Sequence, residues 1–150
     1  MLGSVYEYPV GIHEQHLDVF GHVNNAMYLT LFEEARWDLI TRGGYGLEEI
    51  LRRKVGPVIL EVTLKFQREL RNRQRIVIRS WTDSYTGKVA RLTQQMVDEQ
   101  GQLCCEGQFL FGLFDLVARK LVAPTPEWLN AVGLTPADVA TGSPAASGTR

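Results

Sequence analysis

The sequence predicts an α+β fold in which an antiparallel β-sheet curls over one long α-helix. Three observations predict it. From Asn25 onward apolar side chains recur at three- and four-residue spacing, the mark of a helix with one buried face. From Val58 onward apolar and polar residues alternate, the mark of strands with one buried face. The segments joining the alternating runs are short, which makes those strands antiparallel neighbours.

The elements follow in order. Residues 5–14 read as an opening strand with Val10, Ile12 and Glu14 on one side, and Pro9 with Gly11 confines it to a sheet edge or a bulge. The helix carries Tyr28, Leu31, Phe32, Ala35, Leu39 and Ile40 on its inner face, with Glu33, Glu34, Arg36 and Asp38 outside. Asn24 or Asn25 caps its start and Gly43-Gly44 ends it, a length of about 18 residues or about 27 Å. A shorter helix over residues 47–54 stops at Gly56-Pro57. Next comes a strand with Val58, Leu60, Val62, Leu64 and Phe66 on one face. Strands over 76–85 and 89–98 are joined at Thr86-Gly87, and Leu103, Cys105, Phe109, Phe111 and Leu113 mark one face of the last long strand. A sheet with one strongly apolar face and a single helix to cover it leaves apolar surface at its edge. A homodimer or a larger homo-oligomer is therefore expected.

The chain has 150 residues, enough for one core, and no internal repeat; a single domain over residues 1–140 is expected. Residues 141–150 (TGSPAASGTR) are too small and polar to offset their ordering entropy and read as a disordered tail. A formal charge of −1 disfavours a nucleic-acid partner, because phosphate binding needs a basic surface. No apolar run approaches the roughly 18 residues of a membrane span, and the N-terminus lacks signal-peptide character, so a cytoplasmic address and no membrane partner are expected. Cys104 and Cys105 are adjacent in a strand and point to opposite faces, so both read as reduced.

The chemistry concentrates in residues 18–28. Asp18 lies in a glycine-containing loop just before the helix, where its carboxylate can face the free N–H groups of the first turn. A carboxylate opposite an anion-binding helix end is a minimal apparatus for attack on an acyl carbonyl. Asp18 deprotonates water or attacks directly, the amides hold the oxyanion, and His22 assists. The same residues also suit a purely structural role, with Asp18 capping the loop and Asn24 or Asn25 capping the helix. No dinucleotide fingerprint, P-loop, zinc spacing or serine elbow is present, and His13, His16 and His22 match no metal spacing; no cofactor or metal is expected. The basic run over residues 65–79 reads as a solvated hairpin end, and Trp37, Trp81 and Trp128 as packing residues.

The run from Asp18 through Arg36, D-x-x-G-H-V-N-N-x-x-Y-x-x-x-F-E-E-A-R, resembles the signature of the 4-hydroxybenzoyl-CoA thioesterase family of hotdog-fold acyl-CoA thioesterases, and the likeness covers about residues 5–132. It implies a hotdog fold, a curved antiparallel sheet wrapped around one long central helix. It also implies a homodimer or homotetramer with the acyl chain in a tunnel between subunits. By the same resemblance Asp18 is nucleophile or general base, the Asn25 amide is the oxyanion donor, and Asn24 and Tyr28 flank the substrate. Lys88, Arg119 and Lys120 match basic positions around the coenzyme A phosphates. The H-V-N-N run is also similar to acyl-ACP thioesterases, which would make acyl carrier protein the partner, but Phe20 stands where those enzymes carry an assisting Asn. Hotdog hydratases place five residues between Asp and His, against three here. An idle hotdog that only binds acyl thioesters or another protein is the rival from another class, and it would not require a carboxylate at Asp18.

Overall fold

Asn24 sets the start of the longest helix: with its backbone extended, its side chain accepts the Ala26 N–H at 2.9 Å, and α1 runs from there over Asn25–Arg42. The computed structural model containing it describes residues 1–142, so the expectation for the tail lies, beyond Gly142, outside the described residues. α1 ends at Gly43-Gly44 for two separate reasons. Gly44 has φ +86°, a left-handed conformation that costs glycine little, while a Cβ at Gly43 would collide with the backbone of Ala131.

The remaining elements are β1 (Leu2–Gly11), α2 (Leu47–Arg53), β2 (Val55–Phe66), β3 (Arg75–Thr86), β4 (Val89–Asp98), β5 (Leu103–Asp115), β6 (Lys120–Val122) and α3 (Pro126–Ala131). The sheet is antiparallel with strand order β1-β3-β4-β5-β2, and β6 pairs with the end of β5. α1 has the expected 18 residues and α2, with seven, falls where the shorter helix was expected, so α1 is not the sheet's single helix; α3, with six, was not expected. α3 escaped the periodicity reading because six residues make under two turns. Its signal was Thr125-Pro126, a capping hydroxyl that accepts the Trp128 N–H, followed by a proline at the first helical position.

α1 is reached from strands on both sheet edges and in between, which requires a curved sheet. Phe66 of edge strand β2 meets Tyr28 edge-on at 4.9 Å between ring centroids, and Phe109 of β5 meets Phe32 at 5.8 Å. On the other edge, Tyr6 of β1 donates its hydroxyl proton to Asp38. Fully buried Leu31, Phe32, Ile76, Ile78 and Leu113 form part of the core, each contributing roughly 1.5–3 kcal/mol by leaving water.

Two bulges alter the faces expected from strict alternation. In β2 the register slips at Leu60, so Ile59 pairs with Phe111 and Val62 with Phe109; cross-strand partners share a face, so both look inward and Leu60 is the extra residue. In β5 the register slips at Cys104, and both cysteines are buried free thiols rather than one on each face. β1 is an edge strand with an irregularity between Leu2 and Tyr6, while Glu14, read as strand, lies in a 3-10 turn over Glu14–His16.

Candidate active site

The chain leaves β1, makes the 3-10 turn and doubles back. Leu17 bridges Val23, the Asp18 N–H donates to the His22 carbonyl at 2.7 Å, and the Asn24 N–H donates to the His16 carbonyl at 3.3 Å. This small hairpin lays Asp18 across from His22, beside the segment that becomes α1. Gly21 takes φ +80° in its tip, which explains a glycine there.

Asp18 is half-buried, and its two carboxylate oxygens differ. Oδ1 accepts the N–H groups of Phe20 at 2.9 Å and His22 at 3.2 Å. Oδ2 has no hydrogen-bond partner among the described residues, so the loop fixes the carboxylate through one oxygen and leaves the other unengaged. The structural and chemical readings of Asp18 are therefore compatible.

The first turn of α1 shows a similar division. Ala26 N–H is taken by the Asn24 side chain and Met27 N–H by the Asn24 carbonyl, whereas the Asn25 N–H has no partner among the described residues. The sequence left Asn24 or Asn25 as the cap; Asn24 holds that position, and Asn25 presents the unpaired amide at the positive end of the helix dipole.

His22 contributes its backbone to the Asp18 loop, and its ring turns to Glu69 in the β2–β3 connection, with Nε2 2.9 Å from Oε1. Sequence reasoning missed Glu69 because it lies far along the chain within a basic run. Tyr28 is buried against Phe66, and burial pushes its phenol up. His16 is buried, and burial together with the neighbouring His13 lowers its pKa; its Nδ1 accepts the His13 N–H at 2.8 Å.

Lys88, Arg119 and Lys120 are not brought to Asp18 within one chain. Gly11, which leads into the Asp18 loop, pairs with Arg75 at the start of β3, while Lys88 follows the end of that strand. The 12 residues of β3 span roughly 36–40 Å at 3.3 Å each. Arg119 and Lys120 share the Lys88 end, at the β5–β6 turn, where Arg119 has φ +58° and stacks 5.2 Å above the Phe114 ring. All three side chains are exposed. Among the described residues no group of three His, Cys, Asp or Glu side chains is placed to hold a metal ion, and no helix is long and apolar enough to cross a membrane.

An antiparallel sheet curved over the long helix α1 defines a hotdog-fold protein. Residues 10–132 match the family described as the thioesterase-like superfamily, and the chain belongs to it. It is 29% identical over 109 residues to the long-chain acyl-CoA thioesterase FadM of Escherichia coli (strain K12), covering 72% of this chain and 82% of that protein. Two solved structures share the fold at lower identity. The Staphylococcus aureus protein SAV2348 in complex with CoA superposes with a TM-score of 0.81 at 16% identity, covering 100% of this chain and 96% of that one. The 1,4-dihydroxy-2-naphthoyl-CoA thioesterase Slr0204 from Synechocystis does so with a TM-score of 0.78 at 15% identity, covering 86% and 96%.

Proposed function

We propose that this chain hydrolyses acyl-CoA thioesters, taking one water and releasing a carboxylate, coenzyme A as the free thiol, and a proton. The observation that carries the reading is the pairing of an unengaged Asp18 Oδ2 with an unengaged Asn25 N–H on two adjoining segments. Oδ2 takes a proton from water as the water oxygen attacks the thioester carbon. The carbonyl oxygen becomes an oxyanion facing the Asn25 N–H and the positive end of α1. Collapse breaks the C–S bond, and the proton held by Asp18 passes to the departing thiolate. Direct attack by Oδ2, giving a mixed anhydride that water then cleaves, reaches the same products. Single turnover in 18O-water separates the routes, since only the anhydride route can leave the label in Asp18.

The active unit in this proposal is a homodimer joined through β2. One edge of β2 pairs with β5, the other has no strand beside it among the described residues, and Ile59, Leu60, Val62 and Phe66 are 41–52% exposed. Val19 and Phe20 beside Asp18 are 94% and 80% exposed, an apolar lip that a partner or an acyl chain would cover. A twofold axis across β2 runs the partner strand antiparallel. It brings the partner's β5–β6 turn, with its Arg119 and Lys120, toward the Asp18 end of this chain, which supports these residues as contacts for coenzyme A phosphates supplied across the seam.

Thiol release from aryl-, short-chain and long-chain acyl-CoA substrates tests the reading. Turnover of at least one class well above the uncatalysed rate is expected. No release from any of them would overturn it.

A further inference from the structure

A cavity of about 240 Å³ lies between the second half of α1 and the sheet, away from the Asp18 loop. An engineered apolar cavity of about 150 Å³ binds benzene, so this one has room for roughly ten non-hydrogen atoms. Its walls are mostly apolar, with Leu39, Ile40, Leu92 and Phe111 among them, and Trp37, Trp81 and Trp128 all line it.

Arg36 and Ser80 make one part of the wall polar, and Gln94, which does not itself line the cavity, holds both from behind. Gln94 is 0% exposed and has all its main hydrogen-bonding directions engaged: Nε2 donates to the Ser80 Oγ at 2.9 Å and to the Phe32 carbonyl at 3.2 Å, and Oε1 accepts from Arg36 Nη1 at 2.9 Å. Arg36 also lies 4.6 Å above the Phe109 ring. Its guanidinium has five N–H donors, and only one of them is matched to an acceptor among the described residues. Ser80, 2% exposed, accepts from Gln94 and keeps its own O–H to donate. Glu33 lines the same cavity but is exposed and forms no ion pair with Arg36 among the described residues. Burial pushes the guanidinium down to about 10, opposed by Glu33, so it stays charged at neutral pH. A partly buried cation with spare donors, near Glu33 but with no carboxylate hydrogen-bonded or ion-paired to it among the described residues, suits an anionic ligand.

We propose that this cavity binds a carboxylate on a small apolar body, through the guanidinium of Arg36 and the hydroxyl of Ser80. Joined to the reading of the Asp18 site, on which this part rests, it selects acyl groups that end in a second carboxylate. Within one chain Asn25 and Arg36 stand about 16 Å apart along α1, with fully buried Phe32 between them. The exposed cavity residue Ile59 lies instead on edge strand β2, the side to which a twofold across β2 turns the partner's Asp18 loop.

The chain's three tryptophans all line the cavity, so intrinsic fluorescence reports on binding there. Hexanoate should change that fluorescence and bind at least tenfold more tightly than neutral hexanamide. Arg36→Gln should remove the difference, and Arg36→Lys should keep part of it. Equal binding of acid and amide by the unmodified protein overturns the proposal, whether or not the variants fold. In the hydrolysis assay hexanedioyl-CoA should exceed hexanoyl-CoA in kcat/KM by at least tenfold, and Arg36→Gln should abolish that ratio. Hydrolysis of both at equal rates overturns the assignment of the acyl terminus. Selective hexanoate binding without hydrolysis of any thioester supports the carboxylate site and counts against the Asp18 reading.

Discussion

Replacing Gln94 by Leu should be among the more destabilising single changes in this protein, because Gln94 ties β4, β3 and α1 together from a fully buried position. Leu is close in volume, so the cost is mainly in hydrogen bonds. The bonds to Ser80 and to the Phe32 carbonyl are neutral, worth about 1 kcal/mol each, and the one from Arg36 is charge-assisted, worth about 2 kcal/mol. Burying the Leu side chain returns about 1 kcal/mol, leaving a net loss of about 3 kcal/mol. For a chain of 150 residues that lowers Tm by about 6–12 °C. Urea unfolding with an unchanged m-value gives the free energy directly. Arg36→Met made in the Gln94→Leu background should cost less than Arg36→Met alone, since both remove the same bond. A Gln94→Leu loss under 1 kcal/mol, or strict additivity with Arg36→Met, would refute the idea that these bonds hold the helix to the sheet.

The other predictions concern assistance, assembly and thiol reactivity. His22→Ala should lower kcat less than Asp18→Ala, and Glu69→Gln should reproduce the His22 effect within a few-fold, because Glu69 holds the His22 ring; the reverse order would make His22 the base. Val62→Lys, on the open edge of β2, should convert the protein to monomer in sedimentation velocity and remove its thioesterase activity, whereas an unchanged, active oligomer would place the interface elsewhere. Burial pushes the Cys105 thiol up to about 12 and raises Cys104 as well. A raised thiol pKa leaves almost no thiolate at pH 8, so neither cysteine should react with iodoacetamide until denaturant unfolds the chain; prompt alkylation of the native protein would contradict that burial.

Features set by local chemistry could be read from the sequence. α1 starts at Asn25 because a capping side chain and a helical period meet there, and β4 runs over Val89–Asp98 because alternation between two turns leaves no other choice. The Asp18 loop was legible for the same reason, since aspartate, glycine and the helix cap lie within a few residues. What was missed depends on residues distant in sequence. The sequence places Arg36 on the outer polar face of α1 beside Glu33 and Glu34, but its guanidinium turns inward to Phe109 and Gln94, partners on β5 and β4. The bulges at Leu60 and Cys104 shift faces by one residue, and only pairing with a neighbouring strand reveals such a shift. The distance of Lys88, Arg119 and Lys120 from Asp18 follows from strand direction, which spacing along the chain does not display.

The central claim is that the Asp18 carboxylate does the chemistry, and Asp18→Asn tests it most directly. The amide keeps the side chain's size and an oxygen to accept the Phe20 and His22 N–H groups, so the loop should hold while the base is lost. Steady-state thiol release should be measured on the best acyl-CoA of the panel, with folding checked by circular dichroism. The account predicts a fall in kcat of roughly 10²–10⁴. A folded Asp18→Asn protein with near-full turnover would contradict it.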